Sequence, residues 1–110
     1  MSTESLVPEI SVETLQQWLA DGSVLLVDVR EQNEWNEAHL AQALLLPLSA
    51  FDPAQVPPAG DRHTVIMCRS GRRSADATRV LQMTGRQDVF NLEGGILAWQ
   101  ALSLPVVSGA

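Results

Sequence analysis

The chain has no lysine: all seven of its basic residues are arginine, set against thirteen acidic residues for a formal net charge of −6. Positive charge supplies most of the affinity for nucleic acid and for anionic membrane, so this balance excludes general binding to either. Cysteine is reduced to one residue, Cys68, which rules out an internal disulfide or a resolving thiol within these 110 residues. Unbroken apolar runs stop at four residues, as at 43–46, whereas a membrane-spanning helix needs about 20. The opening MSTESLVPEI shows neither the basic start nor the apolar stretch of a secretory signal. These absences predict a soluble, cytoplasmic protein.

The remaining composition is that of a compact fold, with 45% hydrophobic residues. A chain of this length buries roughly two-thirds of its unfolded surface, enough for a core without metal or disulfide. One domain is expected over 1–110, with a core at about 9–106 and short flexible termini. Charge is unevenly spread. Arg69, Arg72 and Arg73 fall within five residues, leaving four arginines against thirteen acids, or −9, over the rest of the chain. A basic knot on an acidic body points to a local anion site, and Cys68 stands beside it.

Periodicity organises the chain into alternating strands and helices. Ile10 opens a short apolar step, after which Val12, Leu15, Trp18 and Leu19 recur at helical spacing, with Ser11 as cap and Asp21-Gly22 as stop. Residues 24–29 form an apolar run broken only by Asp28, as in a strand buried on both faces. A short helix is expected at 31–37 with Trp35 inward, a second strand at 43–46, and a helical turn followed by loop over the proline-rich 49–60. Residues 64–67 are β-rich. A helix follows at 72–84 with Ala77, Val80 and Leu81 inward and Gly85 as stop, then a short strand at 88–91 and a last helix at 96–102. The alternation predicts an α/β fold: an open, mostly parallel five-stranded sheet with helices on both faces. Ligands of such sheets sit beyond the carboxyl ends of the strands, where Cys68 falls.

The segment Cys68-Arg69-Ser70-Gly71-Arg72-Arg73-Ser74 joins a buried strand to a helix. Such a loop turns successive N–H groups inward as an anion nest, and the helix adds its positive end. Gly71 stands where positive φ or close approach is wanted. The same field lowers a thiol pKa below its free value of about 8.5, giving a thiolate beside an anion pocket. A lone cysteine is otherwise a small buried hydrophobe, but a strand–Cys–loop–helix context marks a nucleophile.

Four segments resemble the rhodanese family of single-domain sulfurtransferases. They are Val27-Asp28-Val29-Arg30 with Glu34-Trp35; His39-Leu40 with Ala43 and Leu46-Pro47; the Cys68 loop ending Gly71-Arg72-Arg73-Ser74; and Asn91-Leu92-Glu93-Gly94-Gly95-Ile96-Leu97-Ala98-Trp99 with Leu104-Pro105-Val106 behind it. Ala38 and Ala41-Gln42 depart from the family pattern, which commonly has glycine there. The resemblance implies a thiosulfate sulfurtransferase. Cys68 takes the outer sulfur of the donor as a persulfide and passes it to a thiol or cyanide acceptor. Arg69, Arg72 and Arg73 are expected to bind the anion, and the backbone N–H groups from Arg69 to Ser74, those of Ser70, Gly71 and Ser74 among them, to cradle it. Asp28, Arg30 and Trp35 are expected in support: Arg30 pairs with Glu34 or a neighbouring carboxylate, and Trp35 is the aromatic expected to wall the pocket.

No cofactor is implied. His39 reads as a hydrogen-bonded structural residue, because an activated thiolate needs no general base. His39, His63 and Cys68 lack the spacing of a metal site, and no metal is expected. A phosphatase or arsenate reductase on the same fold needs an arginine after five intervening residues, and that position is Ser74; Arg73 comes one residue early. A persulfide carrier serving a protein acceptor, and a non-catalytic interaction module, are the other readings.

Overall fold

The computed structural model describes residues 7–109. Its order is β1 (Glu9–Ile10), α1 (Val12–Asp21), β2 (Val24–Asp28), α2 (Gln32–Glu37), β3 (Leu44–Leu45), two 3-10 turns (Leu48–Ala50 and Pro53–Gln55), β4 (His63–Met67), α3 (Arg72–Met83), β5 (Val89–Leu92) and α4 (Gly95–Ala101). The strands form one five-stranded sheet in the order β1-β5-β4-β2-β3, every neighbouring pair parallel. The expected N-terminal flexibility concerns residues that lie mostly outside those described.

Alternation along the central strands explains why both sheet faces are covered. Leu26 on β2 and Val65 and Met67 on β4 face a core shared with Leu15 of α1 and Ile96 and Trp99 of α4. Leu25, Val27, Ile66 and Cys68 face the opposite core, shared with Ala77 and Leu81 of α3. Strands buried on both sides read as continuous apolar runs, which is why 24–29 and 64–67 carry the signal they do. The first helix is cut to length by its caps. The Ser11 hydroxyl accepts from Thr14 N at 3.1 Å, and Gly22 ends the helix at φ +69°.

Three expectations are corrected in detail. Ile10 belongs to β1 rather than to the approach of α1, and it pairs in register with Leu92. Val80 is 39% exposed. The buried face of α3 is instead Ser74, Ala77, Thr78 and Leu81, a 3-4 repeat half made of small hydroxyl residues that hydropathy does not mark. Trp35 joins neither core; it is half-buried and stacks on the ring of buried His39 at 3.7 Å.

Leu15 is fully buried between α1 and the sheet. Leu15→Ala is expected to cost about 2–5 kcal/mol of unfolding free energy, read from urea denaturation. A loss under about 1 kcal/mol would mean that α1 is not anchored through this residue.

Candidate active site

Cys68 follows the last residue of β4, its side chain on the α3 side of the sheet and only 1% exposed. The chain turns over the next three residues straight into α3. Gly71 makes this turn at φ +101°, a left-handed conformation that L side chains rarely adopt. Its N–H donates to Cys68 Sγ at 3.1 Å, and the Ser74 hydroxyl lies 3.2 Å from the same sulfur.

The loop carbonyls are held from behind. Cys68 O accepts from Ile96 N at 2.9 Å and Arg69 O from Leu97 N at 3.1 Å. Gly71 O accepts from Asn91 Nδ2 at 2.9 Å. For the first turn of α4 to come this close, position 95 must lack a side chain: a Cβ on Gly95 would fall 2.4 Å from Cys68 O and 2.5 Å from Arg69 O. With the carbonyls engaged there, N–H groups of the loop are left to face the sulfur. Burial pushes the Cys68 thiol pKa up, but hydrogen bonds from the Ser74 hydroxyl and the N–H groups of Ser74, Gly71 and Ser70 outweigh it and leave it below its ordinary value.

Two carboxylate–arginine pairs brace the surroundings. Asp28, at the end of β2 and fully buried, accepts from Arg30 N at 2.9 Å, Arg30 Nη2 at 2.9 Å and Arg30 Nε at 3.1 Å. Arg30 Nη2 also donates to Ala38 O at 2.6 Å, tying down the end of α2. Arg30 therefore pairs with Asp28, and Glu34 is taken by another partner. Both Glu34 oxygens accept from Arg73, at 2.7 and 2.8 Å. This fork pushes the Glu34 carboxyl down to about 2, against an opposing push from burial.

The arginine knot is thus divided. Arg73 is ion-paired with Glu34 and so is not a free cation on the rim. Arg69, Ser70 and Arg72 are exposed, and neither Arg69 nor Arg72 has a carboxylate partner among the described residues. A cavity of about 160 Å³ opens beside the loop, lined by Arg69, by Arg30, Glu34, Glu37 and Ala38, and by Ile96, Leu97 and Gln100. Trp35 is not part of this wall. On the short α2, residues 34, 37 and 38 share one face, and residue 35 is turned away toward His39. His39 Nδ1 is 2.8 Å from Trp35 O, and its backbone bridges to Val107. His63 stacks on Trp18 and meets Asp88 at 2.9 Å. A larger cavity, about 460 Å³, lies at the amino ends of β4 and β5, away from this loop. There Arg62 and Arg86 donate to the carbonyls of Val56, Pro57, Pro58 and Ala59.

The sequence reading gave no site role to Asn91, fully buried on β5, or to Glu9 on β1, whose carboxylate accepts from Asn91 Nδ2 at 3.0 Å. A lone amide inside a short apolar strand was the available signal for Asn91; Glu9 gave none.

Sheet and loop together define an α/β fold that carries a cysteine anion cradle at the carboxyl edge of a parallel sheet. A family model for the rhodanese-like domain matches residues 11–102, and the chain belongs to that family. It is 42% identical over 104 residues to a protein of Allochromatium vinosum named a sulfurtransferase, covering 94% of this chain and 97% of that one. It is 43% identical over 98 residues to an uncharacterized Synechocystis protein, covering 89% of this chain but 55% of the relative's length. The human single-domain sulfurtransferase TSTD1 superposes with a TM-score of 0.75 at 27% identity, covering 87% of this chain and 97% of that chain.

Gly95→Ala is expected to push the Cys68–Arg69 backbone outward. Iodoacetamide should then alkylate Cys68 about ten-fold more slowly at neutral pH, as the thiolate fraction falls. An unchanged rate in a folded variant would show that α4 does not hold the loop. The Glu34–Arg73 pair should be visible in stability against pH. A carboxyl lowered in the folded state stabilises above its unfolded pKa, about 4.3, and loses that effect as pH falls toward 2. Wild type should exceed Glu34→Gln by about 1 kcal/mol near neutrality, the pair being partly exposed. In urea titrations the gap should close between about pH 4 and pH 2; a gap independent of pH would discount the pair.

Proposed function

We propose that this chain is a thiosulfate sulfurtransferase acting through a persulfide on Cys68. The observation that carries the reading is the sulfur itself: a nearly buried thiol facing N–H groups and the Ser74 hydroxyl, with its pKa lowered. That environment favours Sγ⁻ and, once sulfur is bound, a charge on the outer atom in the same nest.

Cys68 Sγ⁻ attacks the outer sulfur of thiosulfate. A Sγ–S bond forms, the donor S–S bond breaks, and sulfite leaves with its electron pair. The acceptor, cyanide or a thiolate, then attacks the outer sulfur, and Sγ regains the electron pair as the Sγ–S bond breaks. Arg69 and Arg72, exposed and without carboxylate partners among the described residues, supply positive charge for the donor and for departing sulfite. Arg73 contributes through Glu34, by fixing the start of α3 against α2. Phosphoryl chemistry is disfavoured by Ser74, which meets the sulfur with a hydroxyl at the position where the longer oxyanion loops place arginine.

Intact mass after incubation with thiosulfate tests the proposal. Wild type should gain one sulfur atom and lose it to cyanide with formation of thiocyanate, while folded Cys68→Ser gains none. A folded wild type that gains nothing from thiosulfate would overturn thiosulfate as the donor. Loading on Cys68→Ser would overturn the persulfide site. If a protein thiol is the physiological acceptor, loaded protein should discharge to it far faster than to free thiols.

A further inference from the structure

A line of buried hydrogen bonds runs from the edge strand to the reactive sulfur. Asn91 and Ser74 are both fully buried, and Glu9 on β1 stands in register with Asn91 on β5. The Asn91 amide is oriented by its donors. Nδ2 donates to Gly71 O at 2.9 Å and to the Glu9 carboxylate at 3.0 Å, which accept only. Oδ1 is thereby turned to Ser74, whose hydroxyl makes a short hydrogen bond to it and also lies 3.2 Å from Cys68 Sγ. That hydroxyl has a single proton, so it serves one acceptor at a time.

We propose that Asn91 is a positioning residue for sulfur transfer: it holds the Ser74 hydroxyl beside Sγ and keeps its proton until Sγ carries negative charge. The inference rests on the persulfide reading above. In the loaded state Sγ is bonded to the outer sulfur and the charge lies on that outer atom, so the Ser74 hydroxyl keeps donating to Asn91 Oδ1. As an acceptor thiolate bonds to the outer sulfur, the Sγ–S bond breaks and its electron pair moves to Sγ. The hydroxyl then turns to meet the new charge. No proton is transferred and only one torsion changes, so a donor is available to the leaving sulfur without rearrangement of heavy atoms. The reverse turn accompanies attack on the donor.

A purely structural asparagine would tie β5 to the loop but would not act through Ser74. The charged groups set around this line are Glu9 from β1, Asp28 and Arg30 from the end of β2, Glu34 from α2 and Arg73 from α3. The Asp28–Arg30 and Glu34–Arg73 pairs are untouched by the variants below.

The experiment compares wild type, Ser74→Ala, Asn91→Ala, Asn91→Asp and the double variant Ser74→Ala/Asn91→Ala. Two readouts are taken: the pH profile of Cys68 alkylation by iodoacetamide, and the single-turnover discharge of preloaded persulfide to a small thiol. Ser74→Ala, which removes the donor, and Asn91→Asp, which holds it more tightly, should each move the alkylation profile to higher pH and slow discharge about ten-fold, the scale of one hydrogen bond to a charged atom. The thiosulfate KM should change less than about two-fold. The double variant should be no more than about two-fold slower than Ser74→Ala, because Asn91 acts through that hydroxyl. Asn91→Asp is close to isosteric and carries the test if Asn91→Ala does not fold; it retains an acceptor that holds the Ser74 proton more tightly. Wild-type alkylation profiles in folded Asn91 variants, or effects of Ser74 and Asn91 that multiply, would overturn the proposal. Alkylation needs no sulfur donor, so wild type that fails to load sulfur defeats the sulfurtransferase reading alone, whereas normal loading with unshifted profiles defeats the role of Asn91 alone.

Discussion

A loop that turns N–H groups toward a sulfur turns carbonyls the other way, and those that face the fold need donors of their own. At Cys68 the donors come from elements distant in the chain: the first turn of α4 for the carbonyls of Cys68 and Arg69, and the Asn91 amide for Gly71. The anion cradle is therefore only half made by the cradle residues. Its other half is the Gly94-Gly95 turn, where the absence of a side chain at position 95 lets two backbones meet.

Charge is sorted by depth. Arg30 is buried against Asp28, Arg73 is half-buried against Glu34, and Arg69 and Arg72 remain outside. The inner pairs fix where α2 and the start of α3 stand, since guanidinium forks are directional as well as charged. The outer pair keeps positive charge beside the loop on a chain whose net charge is negative. One arginine cluster in the sequence thus serves two ends, separated by the reach of each side chain.

Continuous apolar runs revealed β2 and β4 because both faces of the sheet are covered. The loop was legible because glycine, arginine and the only cysteine fall together between a strand and a helix. The fate of Arg73 was not, because its partner Glu34 lies 39 residues earlier and nothing local selects it over Arg30. β1 is two residues long, too short for any period to register. Ser74 and Thr78 broke the apolar pattern of α3 and shifted its inner face away from Val80. Asn91 reads as an interruption of a strand until its contacts on both sides are seen.

The separations along these contacts make the site a property of the whole fold. The Asn91–Glu9 bond spans 82 residues, and the donors to the Cys68 and Arg69 carbonyls lie in the final helix. In an unfolded chain the cysteine has none of the donors that α4 and β5 bring to hold the loop in shape. There the thiol is an unremarkable side chain with the sluggishness of any free cysteine near neutrality. The lowered thiol pKa therefore belongs to the folded chain alone, and it depends on contacts that close over most of the sequence.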